Sequence, residues 1–338
     1  MCSFLVLLLF PAFGFAVEKP DYDQQKPTKS DEAKVASWSA TKAGEYLDAV
    51  GVNWTRDRQC MTCHTNIAHV MAGPALPPAN VGWKEVRKFL EDDVKSWSTS
   101  GKPKGDAFIV VNAVALAFTD ARTTGKLHEL TKVALDRMWT VQLKSGEWNW
   151  LKCELSPLEH DDYYGAVLAA VAVGMAPDRY AESDAAKAGL TKLKAYLKAT
   201  PAPDLHHKAM LLWANSLLKD LMTDDDAKAT IVELQKLQHA DGGWCLPSLG
   251  NYIRRDKTPN DPAAPSDGYG TGFTLFVLRQ AGVSQDDKTI MAGVKWLKAN
   301  QRESGRWYTR SLNNDKAHYI TNAGTAFCVL ALDACGEK

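Results

Sequence analysis

Three copies of one seven-residue pattern decide the fold: QLKSGEW at 142–148, QHADGGW at 238–244 and QRESGRW at 301–307. Each copy has the form Q-x-x-x-G-x-W without a gap. An amphipathic helical pattern precedes each copy, and an apolar helix rich in small residues follows it after a loop of variable length. A motif that recurs in this way indicates a repeat architecture built from helical hairpins.

Degenerate copies of the same hairpin fill the rest of the chain. The turns fall near residues 57, 100, 145, 200, 241 and 304, so each unit has about 40 to 60 residues. Six amphipathic helices are expected to form an outer ring with one wet face, and six small-residue helices are expected inside it. The sequence therefore predicts an all-α fold, a single (α/α)6 toroid of six hairpins over residues 31–336. An open helical solenoid is the alternative.

The residues of the motif have structural roles. The Gln amide at the end of an outer helix is expected to satisfy free carbonyls of that helix. The Gly allows the left-handed residue that ends a helix, and the Trp packs its large face over the neighbouring hairpin. The motif therefore indicates architecture and not chemistry.

The chain begins with the apolar run MCSFLVLLLFPAFGFA. We interpret residues 1–16 as a secretory signal peptide cleaved near Ala16, with a core helix as the alternative. Residues 17–30 are polar and contain two prolines, which predicts a disordered leader. The mature chain is therefore expected to be secreted or periplasmic and to lack a transmembrane segment.

The charge balance gives no support for two classes of partner. Lys plus Arg and Asp plus Glu each number 40. A neutral chain without a basic cluster does not neutralise phosphates, which argues against binding to nucleic acid. The same balance gives no reason to expect docking to an anionic membrane.

The segment RQCMTCHTNIAHV contains the pattern C-x-x-C-H, formed by Cys60, Cys63 and His64. A c-type haem needs two thiols for its vinyl groups and an adjacent histidine as axial ligand, so the pattern predicts a haem c cofactor. The sixth ligand of the haem iron would be Met71, His69 or a distant Met or His. The alternative is a site left open. Two alternatives stay open: a zinc site that also uses His69, and a Cys60–Cys63 disulfide.

Five further cysteines lie elsewhere. Cys2 would leave with the signal peptide. The other four form two disulfides or remain buried thiols, and their pairing does not follow from the sequence: Cys153, Cys245, Cys328 and Cys335.

The Q-x-x-x-G-x-W segments and the alternating helices resemble the QW repeats of squalene–hopene cyclases and related terpenoid cyclases. That fold is an α/α toroid, which protein prenyltransferase β subunits share. The resemblance covers residues 31–336. Full-length squalene cyclases have two such barrels, whereas this chain has residues for one.

The resemblance implies a catalytic acid. The cyclases carry D-x-D-D at the start of an inner helix, and the middle Asp protonates the substrate alkene. Here PLEHDDYYGAV offers E-x-D-D, so Asp161 would be the acid. Glu159 and Asp162 would raise its pKa by repulsion, aided by burial, and His160 would be a hydrogen-bond partner.

A helix-capping role for Asp161 is the alternative, because acidic residues stabilise the first turn of a helix. Other inner helices also begin with a polar residue: Asp106, Asp204, Asp267 and Asn322.

The resemblance also implies an aromatic cavity that stabilises a carbocation. The candidates on or near inner-helix starts are Tyr163, Tyr164, Trp213, Tyr269, Phe273 and Tyr319, with ordinary core packing as the alternative. Prenyltransferases instead hold a zinc ion with Asp, Cys and His. The residue types match at Asp241, Cys245 and His318, but their local sequence does not.

The leading functional expectation is a secreted toroid that carries haem c and binds a small or apolar ligand or transfers electrons to a redox partner. The second is an isoprenoid cyclase with Asp161 as general acid. The third is a non-catalytic binding scaffold in which Cys60 and Cys63 form a disulfide.

Overall fold

The computed structural model describes residues 21–100, 105–152, 156–158, 161–313, 315 and 317–337. The predicted signal peptide lies outside these residues, as do Glu159, His160 and Cys153. Within the described ranges the regular structure is helical, with twelve α-helices and no strand. None of these helices is long and apolar enough to cross a membrane.

The helices alternate between an outer and an inner ring. The outer helices are amphipathic: α1 (Ala40–Arg58), α3 (Gly82–Ser100), α5 (Glu129–Thr140), α7 (Asp184–Ala199), α9 (Asp224–Lys236) and α11 (Lys288–Asn300). The inner helices are α2 (Asn66–Ala72), α4 (Asp106–Thr123), α6 (Asp162–Met175), α8 (Leu205–Leu217), α10 (Gly268–Gln280) and α12 (Ile320–Ala334). Most inner-helix residues are buried, because small Ala and Gly side chains let neighbouring helices approach closely.

The inner ring is closed. Helix α2 packs on α4, and this order continues through α6, α8, α10 and α12 until α12 packs on α2 again. The contact between α12 and α2 confirms the predicted (α/α)6 toroid and excludes the open solenoid.

The Gln of each motif joins two outer helices. Gln142, Gln238 and Gln301 each donate from Nε2 to the carbonyl of their own motif glycine over 2.8–2.9 Å. The same nitrogen donates to the next outer helix or its N-cap, at the carbonyls of Gly189, Thr289 and Ser39. The amide therefore joins consecutive hairpins, whereas the sequence suggested that it would serve only its own helix.

Each motif Trp is fully buried and ties the turn to its own outer helix. The indole Nε1–H of Trp148, Trp244 and Trp307 donates over 2.8 Å to a carbonyl ten residues earlier. This hydrogen bond satisfies the single polar atom of the ring, so the whole side chain can enter the core.

Each motif glycine lies in the turn after the helix, with φ of +115°, +91° and +92° at Gly146, Gly242 and Gly305. A Cβ added at these positions would meet a backbone carbonyl oxygen of the next outer helix at 2.3, 2.7 and 2.0 Å; these oxygens belong to Lys192, Ala292 and Lys42. Two constraints therefore require glycine here, the left-handed backbone and the closeness of the neighbouring helix.

The segment before α1 packs against the ring. Asn53 Nδ2 donates to the carbonyl of Tyr22 over 3.1 Å, and Arg306 Nη1 donates to the carbonyl of Lys26 over 2.9 Å. Arg306 also forms an ion pair with Glu32 at 2.5 Å. These side-chain donors therefore bind the backbone of residues 22 and 26, within the segment 17–30 for which the sequence predicts a disordered leader.

The glycine contact can be tested by substitution. We expect Gly305→Ala to lower the free energy of unfolding by more than about 3 kcal/mol, because the methyl group would displace α1 as well as strain the backbone. Gly125→Ala is the matched control, since Gly125 has φ +63° and nothing within 4 Å of an added Cβ. It should cost about 1–2 kcal/mol. Urea unfolding measures the free energy of unfolding of both variants. Equal losses of stability would show that the contact with α1 is not the main cost of Gly305→Ala.

Candidate functional site

The six inner helices begin on the same side of the ring, which we call the mouth. Asp161, Asp204 and Asp267 are the N-caps of α6, α8 and α10. Each carboxylate accepts a hydrogen bond from the backbone N–H three residues later, over 2.8–3.0 Å. Asp161 therefore does cap its helix, as the alternative interpretation proposed, and this role occupies only its Oδ1.

The second oxygen of Asp161 belongs to a hydrogen-bonded chain across two neighbouring inner helices. His207 Nε2 lies 2.9 Å from Asp161 Oδ2, and His207 Nδ1 lies 2.6 Å from Asp204 Oδ1. The His207 side chain is only 2% exposed. Burial lowers the pKa of His207, but the two carboxylates outweigh it and raise that pKa to about 9. His207 is therefore an imidazolium at neutral pH, and it donates to both carboxylates.

The adjacent histidine, His206, is neutral, whereas His207 is charged. His206 Nε2 lies 2.9 Å from the hydroxyl of Tyr269, and the ring stacks on Phe273 at 4.5 Å. Burial lowers the pKa of His206 to about 3, so its ring is neutral. Asp204, His206 and His207 are the one metal-sized set of such ligands among the described residues. Because both nitrogens of His207 already bind carboxylates, we describe the set as a hydrogen-bond network.

Asp162 of the E-x-D-D segment has other partners among the described residues. Asp162 accepts from the backbone N–H of Trp150 over 2.9 Å and forms an ion pair with Lys152 at 3.2 Å. It therefore ties α6 to the first Q-x-x-x-G-x-W turn. Glu159 and His160 lie outside the described residues.

His207 and Asp204 were missed as site residues by the sequence analysis. The segment DLHH at 204–207 carries a signal, an Asp at the start of an inner helix with His three residues later. This is the position that Asp161 has in the preceding hairpin.

The C-x-x-C-H segment forms the connection between α1 and α2, also at the mouth. His64 Nδ1 lies 2.7 Å from the hydroxyl of Thr65, and burial lowers the pKa of His64 to about 4. Its ring stacks on Tyr319 at 5.3 Å and meets the edge of Trp54 at 5.1 Å. His64 is therefore a neutral, oriented imidazole. This is the form that ligates a metal, with Nδ1 hydrogen-bonded as it is in ligating histidines.

The remaining predicted ligands point to different places. His69 Nε2 binds Asp48 Oδ1 of α1 at 2.8 Å. Met71 is buried and lines the interior of the ring together with Cys63, and Cys60 is half-buried. Among the described residues, the structure does not bring the four residues of the zinc alternative within reach of one ion.

The other described cysteines are thiols and not disulfides: Cys245, Cys328 and Cys335.

The three residues that match the zinc ligands of prenyltransferases by type, Asp241, Cys245 and His318, each have different hydrogen-bond partners. Asp241 accepts from Ser266 and Trp296, the Cys245 thiol donates to the carbonyl of Pro262, and His318 Nδ1 accepts from the N–H of Ser311.

The interior of the ring is almost filled by side chains. The enclosed apolar cavity has a volume of about 20 Å³, which is room for roughly one water molecule. Of the predicted cavity aromatics, Tyr164 and Trp213 line it. Of the four others, Tyr269 and Phe273 are packed in the core stack, Tyr319 lies at the mouth with 43% exposure, and Tyr163 faces the outer helices.

Comparison with known proteins adds a family likeness. No known protein-family profile matches the chain. The chain is similar in sequence to squalene–hopene cyclases. A probable squalene–hopene cyclase of Sinorhizobium fredii is 26% identical over 301 residues, which are 82% of this chain and 40% of that protein. The squalene–hopene cyclase of Bradyrhizobium diazoefficiens is 31% identical over 32% of this chain and 15% of its own length. The chain thus spans less than half of these relatives.

Solved structures share the fold at lower identity. A protein of Klebsiella pneumoniae, described as a possible member of the GH105 family, has a TM-score of 0.53 and 10% identity over 98% of both chains. A protein of Salmonella enterica with the same description has a TM-score of 0.53 and 10% identity over 86% of this chain and 92% of its own. These likenesses support the α/α toroid alone.

The charged state of His207 predicts that stability falls at alkaline pH. Its pKa rises from 6.5 to about 9 on folding. Its contribution to the free energy of unfolding is therefore complete below pH 6.5 and is lost as the pH rises through 9. We expect the wild type to lose on the order of 1–3 kcal/mol between pH 6.5 and about 9.5. Asp204→Asn should lose less, because one carboxylate is gone while the cap is kept.

Urea unfolding across this pH range measures the effect. Asp287→Asn is the matched control, since Asp287 caps the outer helix α11 by accepting from Thr289 N–H and has no histidine partner. If the free energy of unfolding fell equally with pH in the wild type and in Asp204→Asn, the result would contradict a charged His207 held between two carboxylates.

Proposed function

We propose that the protein is an acid catalyst that protonates an alkene of an isoprenoid substrate at Asp161. The observation that carries this proposal is the chain Asp161–His207–Asp204 at the start of two adjacent inner helices. The sequence similarity to squalene–hopene cyclases over most of the chain supports the same type of chemistry.

The chain suits a strong acid. Asp161 is a carboxylate in the resting chain, so it would first take up a proton from solvent at the mouth. It would then give this proton to the less substituted carbon of a trisubstituted alkene, which leaves a positive charge on the tertiary carbon. The carboxylate that forms already accepts the Nε2–H of His207, and this hydrogen bond strengthens as negative charge develops. Asp204 accepts the Nδ1–H and keeps the ring charged. Stabilising the conjugate base in this way strengthens the acid.

The filled interior limits the reaction. A polyprenyl chain does not fit a cavity of about 20 Å³, because ligand pockets usually measure about 300–1,000 Å³. The Asp161 side chain is 28% exposed, so a substrate would approach it from the mouth. We therefore propose one protonation, followed by proton loss or capture of water, and not the formation of several rings inside the toroid.

Deuterium uptake tests this proposal. With squalene or farnesol in D2O, a proton donor that equilibrates with solvent would place deuterium on the alkene, which mass spectrometry detects. We expect Asp161→Asn to lower this rate by at least about 100-fold. His207→Gln should lower it by about 10- to 100-fold, because it removes the donated charge.

Asp287→Asn is again the control and should leave the rate unchanged. Undiminished uptake in Asp161→Asn would exclude Asp161 as the donor. An absence of uptake in the wild type with both probes would count against the acid proposal itself.

A second function is favoured by the geometry at His64. We propose that Cys60 and Cys63 bind a haem covalently, with His64 as axial ligand, after export to a secreted or periplasmic location. Two thiols and a neutral imidazole oriented by Thr65 suit this group. When bound, the haem would supply one-electron redox chemistry, and electron transfer would then require a redox partner.

Expression in a host that exports proteins and attaches c-type haem tests this second proposal. The wild type should show a Soret band and haem staining that survives denaturing electrophoresis. The double variant Cys60→Ser, Cys63→Ser should lose both signals. Cys335→Ser is the control, because this half-buried thiol lies outside the C-x-x-C-H segment, and it should keep both signals. A colourless wild type that is two hydrogens lighter than its sequence would instead support the disulfide scaffold.

A further inference from the structure

The hairpin of α7 and α8 has no Q-x-x-x-G-x-W turn. The three motif turns join α5 to α7, α9 to α11 and α11 to α1 through their Gln side chains. No such Gln follows α7, whose turn reads TPAPD at 200–204. At this position a cleft of about 690 Å³ lies between α7 and α9, with α8 behind it. We call it the lateral cleft.

The wall of the lateral cleft has an apolar patch among polar and charged side chains. It contains side chains from α7, α8 and the connection to α9, namely Leu197, Leu211, Leu221 and Met222. Its volume lies within the range of about 300–1,000 Å³ that is usual for small-molecule sites. The cleft therefore has the size of a small-molecule site, unlike the enclosed interior, and its apolar patch offers a surface for an apolar chain.

One polar group at this wall has no partner. Tyr163 of α6 lines the cleft, is 3% exposed, and its buried hydroxyl makes no hydrogen bond. Tyr180, another buried tyrosine, donates to Asp136 over 2.8 Å and accepts from Trp139. Leaving a buried hydroxyl unpaired is costly, so the state at Tyr163 calls for an acceptor that the chain itself does not provide.

The charges at the rim argue for an uncharged ligand. Lys208 and Glu233 face each other across the cleft at 3.2 Å and neutralise one another. Asp220 lies 3.9 Å from Lys194. The two other acidic groups at the rim, Asp224 and Asp226, outnumber the remaining cation, Lys198. An anionic head group would therefore be repelled.

We propose that the lateral cleft binds an uncharged apolar chain that ends in an oxygen acceptor, such as a long-chain or prenyl alcohol, with the Tyr163 hydroxyl as donor to that oxygen. The apolar patch would cover the chain, and the oxygen would satisfy the hydroxyl. This proposal goes beyond the acid chemistry at Asp161 and does not depend on it.

Binding of 1-decanol and n-decane to the full chain tests the proposal, measured as the ligand-dependent rise in melting temperature and converted to a dissociation constant. Tyr163→Phe should weaken decanol binding by about five- to tenfold, because one hydrogen bond is lost, and should leave decane binding unchanged. Equal decanol affinity in the wild type and Tyr163→Phe would overturn the role of the hydroxyl.

Two pairs of variants complete the test. Ala229→Trp, at an exposed position of α9 that lines the cleft, should abolish binding of both probes, whereas Ala188→Trp, at an exposed position of α7 outside the cleft, should not. Retained binding in Ala229→Trp would overturn the site. Without ligand, Tyr163→Phe should keep or raise the urea midpoint of the wild type, because it removes an unpaired buried hydroxyl, and Tyr180→Phe should lower it. A loss in Tyr163→Phe equal to that in Tyr180→Phe would show that the hydroxyl is already paired and would also overturn the proposal.

Discussion

The ring depends on one close approach, that of each Q-x-x-x-G-x-W glycine to a backbone carbonyl of the next outer helix. At Gly305 a Cβ would lie 2.0 Å from the carbonyl oxygen of Lys42, so only a hydrogen atom fits. The Gln amide then bonds to both sides of this contact, and the Trp N–H ties the turn to its own helix. Because this last copy joins α11 to α1, the interaction that sets the repeat also joins the two ends of the ring.

Closure has a chemical consequence at the mouth. Antiparallel hairpins place the amino ends of all inner helices on one side, and each end needs acceptors for its free N–H groups. Asp161 caps α6 with Oδ1 and binds His207 Nε2 with Oδ2. Asp204 uses its Oδ1 both to cap α8 and to bind His207 Nδ1. Capping therefore leaves the second oxygen of Asp161 for the acid role that we propose.

The sequence predicted the fold well because the motif is local and repeated, so period and order alone indicate six hairpins. It predicted the site only in part. Asp161 follows from a local pattern, but His207 lies 46 residues away, and their contact depends on α8 being the ring neighbour of α6. Composition also placed aromatic side chains on inner helices without showing which way they face. Tyr269 and Phe273 fill the core where a hollow was expected, because small inner-helix residues let the ring contract until its side chains meet.

Because the interior is filled, the polar network and the lateral cleft lie at the mouth and between outer helices of this toroid. A centre filled by Trp213, Phe327 and their neighbours leaves about 20 Å³, so any larger molecule must bind at the mouth or between outer helices. The mouth carries the ionised groups, and the hairpin without the motif carries the lateral cleft. Tyr163 connects these regions, since its ring meets the edge of His207 at 5.7 Å while its side chain lines the cleft. A ligand that reorients this ring would therefore also change the packing around His207.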